Sequence, residues 1–234
     1  MINFLIIVSI SDRMFEKSAS LGCPEGQFNL AMMQMQGRFK NTRSAVKLLK
    51  KAADRGNVAA QINLGLVYDH GREVPVNPGE AFKYYSLAVK QGSARAMNLL
   101  GELYIVGKGI KNKADPTQAY RLFQDAAGKG DAMAQFNLGL MHEHGTGGVP
   151  MDKIKAAEFY ELAVLAGNAK AQNNLAALHQ YGVGGVPIDM AKAVRLFMQS
   201  ADQGNAFAQT NLALIYLTGV PGILGLAGPE PQNC

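Results

Sequence analysis

The sequence predicts an all-α solenoid (a superhelix) of six stacked helix-turn-helix units, and three observations predict it. A glycine returns at Gly22, Gly56, Gly92, Gly130, Gly167 and Gly204, at spacings of 34, 36, 38, 37 and 37 residues. A second glycine follows each by 15 residues, at Gly37, Gly71, Gly107, Gly145, Gly182 and Gly219. Residues able to cap a helix stand at two fixed offsets around the first glycine. Self-similarity at such a period marks a repeat architecture, in which one small unit cannot bury its apolar face alone and stacks on its neighbours.

The first helix of each unit opens near an alanine 11 residues before the anchor glycine: Ala45, Ala81, Ala119, Ala156 and Ala193. In the fourth copy Ala119, Leu122, Phe123, Ala126 and Ala127 recur at helical spacing and line one face. Four residues before that alanine stand Asn41, Asn77, Asp115, Asp152 and Asp189. Their side-chain oxygens suit an N-cap, accepting from a free amide of the first turn. The anchor glycine then ends the helix in a left-handed conformation. The next residue, Asn57, Ser93, Asp131, Asn168 or Asn205, caps a second helix. In the fourth copy that helix carries Ala134, Leu138 and Met141 and closes on Gly145. The units run over about 11–40, 41–76, 77–114, 115–151, 152–188 and 189–219. The first copy is degenerate: Met14, Phe15 and Ala19 fill the apolar slots, but Ser11 replaces the alanine. Its second helix keeps Gln27, Asn29, Leu30 and Gly37, with Pro24 suitably in the first turn.

An alanine-aromatic first helix, then Gly-[Asn/Asp]-x-x-Ala-Gln-x-Asn-Leu-Gly, then Gly-x-Gly-Val-Pro-x-Asp, resembles the Sel1-like repeat family. Residues 134–139 and 182–189 carry that pattern most closely. Tetratricopeptide repeats are the neighbouring pattern, but their strict period of 34 does not allow the variable loops seen here, such as Lys108 to Gln118. The resemblance implies a right-handed α/α solenoid that acts as a protein-binding adaptor. The small residues Gly65, Gly101, Gly139, Ala176 and Ala213 are expected to let the two helices of one unit approach closely.

Composition sets the outer bounds. With 48% apolar residues in 234, the chain can bury a core. A formal net charge of +5 comes from scattered residues rather than a nucleic-acid-like patch. Two cysteines, Cys23 and Cys234, cannot form a disulfide framework. They point to a reducing, cytoplasmic setting, with the endoplasmic-reticulum lumen and the mitochondrion as alternatives. The apolar opening over 1–10 is shorter than the roughly 20 residues of a membrane span. As a secretory signal it would cleave near Ser18-Ala19-Ser20, yet no basic residue precedes it, and Asp12, Arg13, Glu16 and Lys17 crowd that region. Residues 220–234, rich in glycine and proline, are predicted to be disordered. Neither end carries a polar cap, so further repeats or a partner are expected to cover the ends.

Several stretches imitate chemistry. His142 and His144 flank Glu143, but residues two apart on a helix point about 200° away from each other and cannot face one metal. His142 stands in the slot of Tyr68, Tyr104 and Tyr216, so packing is the expected role of the pair. The loops Gly145-Thr146-Gly147-Gly148 and Gly182-Val183-Gly184-Gly185 follow helices, and no Gly-Lys-[Ser/Thr] accompanies them, so phosphate binding is not expected. Asn29, Asn63, Asn137, Asn174 and Asn211 form a column that either captures peptide backbone or ties neighbouring loops and turns together. No nucleophile stands beside a base outside the repeat pattern. The expectation is therefore no catalytic residue, no cofactor and no metal.

A basic column is the candidate partner-binding site. Arg13, Lys47, Lys83, Arg121 and Arg195 stand nine residues before successive anchors, interrupted by Glu158. They lie on first helices, which in solenoids of this kind line the concave surface. Repetition would align them as a ridge for acidic segments of protein partners. The plainer reading is a solvated face whose long stems cover apolar surface. No aromatic accompanies these cations, so nucleic acid is not an expected partner. The function expected is a non-catalytic scaffold or adaptor binding proteins on the concave face. The alternative is a small-ligand-binding or weakly hydrolytic repeat protein of the β-lactam-binding type; the paired cysteines of that branch are missing here.

Overall fold

A computed structural model describes residues 13–36, 42–72, 74–109 and 113–218. Among the described residues there are twelve α-helices and no strand. They are α1 (13–20), α2 (Pro24–Met35), α3 (Thr42–Asp54), α4 (Val58–His70), α5 (Pro78–Lys90) and α6 (Ala94–Val106). There follow α7 (Pro116–Gly128), α8 (Ala132–His144), α9 (Lys153–Leu165), α10 (Ala169–Tyr181), α11 (Met190–Asp202) and α12 (Ala206–Thr218). The chain divides into two compact units, Met1–Asp115 and Pro116–Cys234. Asn41, Gly37, Gly219, Ser11 and the expectations for 1–10 and 220–234 lie outside the described residues.

The helices form where the caps are. In unit one, Asn57 Oδ1 accepts from Ala60 N at 2.8 Å, Ser93 Oγ from Ala96 N at 3.3 Å, and Asn77 Oδ1 from Glu80 N at 3.1 Å. In unit two, Asp131, Asp152, Asn168 and Asp189 cap α8, α9, α10 and α11 in the same way, at 2.8–3.0 Å. Each such bond satisfies an amide that the first turn leaves open, and contributes about 1 kcal/mol. Cys23, the sixth member of this column, makes no side-chain cap bond; its Sγ donates to Glu25 Oε2 instead.

The anchor glycines sit at φ between +79° and +93°. At the end of α3, Gly56 N donates to Ala53 O and Asn57 N to Ala52 O, the paired bonds of a Schellman turn. The same pair recurs after α1, α5, α7, α9 and α11. The second glycines Gly71, Gly107, Gly145 and Gly182 also take positive φ, at +61° to +71°. From there the exit loop folds back onto its own unit's first helix. A Cβ on Gly147 would stand 3.0 Å from Pro116 O, and one on Gly184 2.5 Å from Lys153 Cγ. The loop is then tied to its second helix from the next cap: Asn77 N donates to Tyr68 O, Asp152 N to His142 O and Asp189 N to His179 O. These glycines turn the chain at a crowded place.

Packing departs from expectation at the small residues. Gly65 and Gly139 do not bring together the two helices of one expected unit. They seat an aromatic ring from the following first helix: a Cβ on Gly65 would meet Tyr85 Cδ1 at 2.6 Å, and one on Gly139 would meet Tyr160 Cδ1 at 2.5 Å. Tyr85 and Tyr160 are fully buried there, each worth about 2–3 kcal/mol in apolar area removed from water. Packing of α4 on α5, α8 on α9 and α10 on α11 is accordingly more extensive than that of α3 on α4 or α9 on α10. In unit two the core gathers Tyr160, Leu175, Val194 and Phe197, and in unit one Leu49, Leu64 and Tyr84. Met14, expected in an apolar slot, is 67% exposed, whereas Ala19 beside it is buried as expected.

Candidate functional site

All five basic-column residues are exposed: Arg13 on α1, Lys47 on α3 and Lys83 on α5 in unit one, Arg121 on α7 and Arg195 on α11 in unit two. Glu158 is exposed on α9. The column is not uniform. Lys83 Nζ pairs with Glu80 Oε2 at 3.2 Å and stands 4.9 Å from the centre of the Tyr84 ring. Such an exposed pair contributes only about 0–1 kcal/mol, so it leaves the cation open to exchange for another carboxylate.

Three members of the asparagine column, Asn63, Asn174 and Asn211, bond within or between helices rather than to loops. Asn63 Nδ2 donates to Ala59 O within its own helix at 2.8 Å. Asn211 Nδ2 donates to Asn173 Oδ1, Asn173 Nδ2 to Asn174 Oδ1, and Asn174 Nδ2 to Tyr160 Oη, at 3.1–3.2 Å. Tyr160 Oη in turn donates to Glu143 Oε2 at 2.6 Å, and Lys153 Nζ to Glu143 Oε1 at 3.0 Å. Burial, with the bond to Glu143 adding to it, pushes the Tyr160 phenol well above the ordinary tyrosine range. Tyr160 stands in a ring column with Phe15, Tyr85, Phe123 and Phe197, and Glu143 in the slot of Asp69, but the Lys153 slot holds no other cation and nothing local says that the three side chains meet.

The loop-binding role falls instead to glutamines five residues after the anchors. Gln27 Nε2 reaches Ala19 O, Gln61 Nε2 reaches Ala53 O and Gln209 Nε2 reaches Ala201 O, at 3.1–3.4 Å. Where the residue before the next anchor is also glutamine, the carbonyl end is satisfied too: Gln91 Nε2 donates to Gln61 Oε1 and Gln203 Nε2 to Gln172 Oε1, both at 2.8 Å. Where it is Arg55 or Ala166, Gln27 Oε1 and Gln135 Oε1 are buried without a partner. Ala166 has φ −87° and ψ 8°, against −92° and 9° at Gln91 and −82° and 5° at Gln203, so a glutamine fits its backbone. Ala166→Gln is expected to stabilise the protein by about 1 kcal/mol, raising the melting midpoint by about 2–4 °C. Ala166→Glu, which has no donor to offer, is expected to gain nothing; equal gains by calorimetry would refute the pairing.

His142 is a packed residue. It is 4% exposed, stacked on Phe159 with ring centres 5.4 Å apart, and its Nε2 lies 3.3 Å from Tyr120 Oη. His144 is exposed, so packing applies to His142 alone. Burial holds the His142 imidazole below the ordinary histidine range; Lys155 adds to the effect, and Asp152 and Glu158 oppose it. The folded value lies below the unfolded one, so the fold favours the neutral ring. The resulting stability is complete above the unfolded value of about 6.5 and is lost as pH falls through it towards the folded value. His142→Tyr, the residue of three sister copies, is expected to lose less stability than the parent between pH about 7 and about 5 in urea titrations. Equal losses in both proteins would rule His142 out as the source.

Among the described residues, no group of three His, Cys, Asp or Glu side chains is placed to hold a metal. Among the same residues, no helix is long and apolar enough to cross a membrane.

Paired helices joined by a left-handed glycine, capped alike and stacked in sequence, define an α-helical repeat protein. The pattern matches the Sel1 repeat at residues 24–57, 58–93, 94–131, 132–168, 169–205 and 206–225, and the chain belongs to that family. The matched units open on α2, α4, α6, α8, α10 and α12, half a unit out of phase with the boundaries expected above. Lys47, Lys83, Arg121 and Arg195 therefore stand on the second helices of matched units and not on the first helices expected to line a concave face, Arg13 precedes the first matched unit, and Asn29, Asn63, Asn137, Asn174 and Asn211 stand on first helices. A Sel1 repeat protein from Oxalobacter formigenes is 32% identical, with 94% of this chain and 87% of that one covered and a TM-score of 0.82. The protective antigen c5321 of uropathogenic Escherichia coli, with an SLR fold, is also 32% identical, at a TM-score of 0.75 over 93% of this chain and 45% of that one. Among curated relatives, the chitin synthase regulator SKT5 of Malassezia restricta is 31% identical over 60% of this chain. The HRD3A component of an ERAD-associated E3 ubiquitin-protein ligase from Arabidopsis thaliana is 30% identical over 50%. This chain spans only 10% and 19% of those two proteins.

Proposed function

We propose that this chain is a non-catalytic scaffold that binds partner proteins along its repeats, with the concave face as the docking surface and a cytoplasmic setting. The observation that carries this reading is family membership: relatives of the same repeat are named as a regulator of a synthase and a component of a ligase. Two columns supply candidate contacts. Arg13, Lys47, Lys83, Arg121 and Arg195 offer exposed cations to acidic segments, where electrostatic complementarity steers association. On a helix that opens a matched unit, Asn63 donates its Nδ2 to Ala59 O, which leaves its Oδ1 to accept a peptide N–H.

Affinity purification followed by mass spectrometry names the partners. A Lys83→Glu, Arg121→Glu, Arg195→Glu triple variant is expected to lose the salt-sensitive fraction of captured proteins, because charge reversal removes steering and adds repulsion. If the captured set and its salt dependence are unchanged, the basic column has no part in binding. A thermal-shift screen against nucleotides, metals and β-lactams tests the alternative, since a ligand of the native state raises its midpoint.

A further inference from the structure

In unit one, α2 and α4 enclose a cleft of about 490 Å³. Its apolar lining is Met32, Met35, Leu66 and Val67, and its polar edge is Asn63, His70 and Arg72, with Gln36 between. Among the described residues, the lining holds no carboxylate. The repeat explains why this groove is open. In the fourth copy, the position equivalent to Met35 is Glu143, whose carboxylate is held by Lys153 and Tyr160, with Asn174 on the tyrosine. The first copy places a methionine there, followed by Leu49 in the slot of Tyr160, whereas the second copy keeps a carboxylate and a tyrosine, Asp69 and Tyr85. The groove keeps an apolar floor and loses its resident anion.

We propose that this cleft docks a segment of a partner protein that presents a large apolar side chain with a carboxylate one or two residues away. Three features fit that occupant. Methionines adapt their shape to an inserted apolar group better than branched side chains do. Arg72 is an exposed permanent cation at the rim, suited to bidentate pairing with a carboxylate. Asn63 Nδ2 is held by Ala59 O, which leaves its Oδ1 to accept a peptide N–H, and the exposed His70, whose Nδ1 donates to Leu66 O at 3.0 Å, stands on the same edge. The proposal rests on the partner-binding reading above and gives it a binding motif.

The test uses three fluorescein-labelled peptides with one central benzoylphenylalanine, flanked by glutamate, by glutamine or by lysine, against the full chain. The glutamate peptide is expected to bind about tenfold more tightly than the glutamine one by anisotropy, and the lysine one least. On irradiation it is expected to label Met32 or Met35. Met35→Glu, which restores the anion of unit two, is expected to abolish both signals. Arg72→Glu, an exposed change that leaves the apolar floor intact, is expected to weaken binding about tenfold. Equal binding of the glutamate and glutamine peptides overturns the proposal, as does labelling confined to other helices, or a dimer in sedimentation that Met35→Glu dissociates, which would make a second copy the occupant. Labelling at α5, α7 or α11 together with loss of binding in the basic-column variant would sink the cleft while sparing the wider partner-binding reading.

Discussion

Gly139→Ala is expected to destabilise the protein, against the usual trend for this change. In an exposed helix interior, alanine gains about 1 kcal/mol over glycine through lower backbone entropy in the unfolded chain. Here the new methyl would stand 2.5 Å from Tyr160 Cδ1, well inside van der Waals contact. The ring cannot slide away easily. Its hydroxyl is held by Glu143 at 2.6 Å and its face lies against Phe136, with centres 5.8 Å apart. Overpacking of this kind costs about 1–3 kcal/mol, which exceeds the propensity gain. Gly65→Ala, facing Tyr85, whose buried hydroxyl has no hydrogen-bond partner among the described residues to hold it, is expected to cost less than Gly139→Ala. In the fifth copy the same slot is Ala176 and the ring slot is Phe197, both fully buried, so an alanine is compatible with a ring that has no tethered hydroxyl. The Gly139→Ala penalty is therefore expected to shrink in a Tyr160→Phe background, a coupling that a double-mutant cycle in urea measures. A raised midpoint for Gly139→Ala alone would refute the close approach.

Glu143→Leu is expected to cost about 2–3 kcal/mol. The carboxylate is only 17% exposed and accepts from both Lys153 Nζ and Tyr160 Oη. Removing it strands a largely buried ammonium and a buried hydroxyl, each of which was desolvated on the strength of that partner. Leucine keeps the packing volume, so the loss reports the polar partners rather than a cavity. Adding Lys153→Met to Glu143→Leu removes the stranded charge, and the pair is expected to recover part of the loss. Chemical denaturation of the single and double variants checks this. A Glu143→Leu variant within about 0.5 kcal/mol of the parent would mean that water already satisfies the network.

The repeat, the caps and the glycine turns were legible because each depends on residues within a few positions of one another. Asn57, Asp131 and Asn168 cap the helix that begins at the next residue, and Gly56 or Gly130 takes a positive φ that few other residues adopt cheaply. The exposure of Arg121 and Arg195 was legible for the same reason, since helical spacing separates them from the apolar stripe. The apparent histidine site dissolved on the same grounds: His142 repeats a tyrosine slot and is packed like one.

Side-chain partners across the stack were not legible. Gly139 and Tyr160 are 21 residues apart, and Gln61 and Gln91 are 30 apart; nothing local says that they touch. Sequence alone determined that this is an all-α array, with its period, its helix ends and its solvated face, because backbone geometry and capping are settled within one turn. Tertiary structure decided that Gly65 and Gly139 seat the next helix's aromatic ring, that glutamines bind the turns, and that Glu143 meets Lys153 and Tyr160 while Met35 lines a cleft. Those outcomes depend on which helices stack and at what offset, and only the packed chain sets that offset.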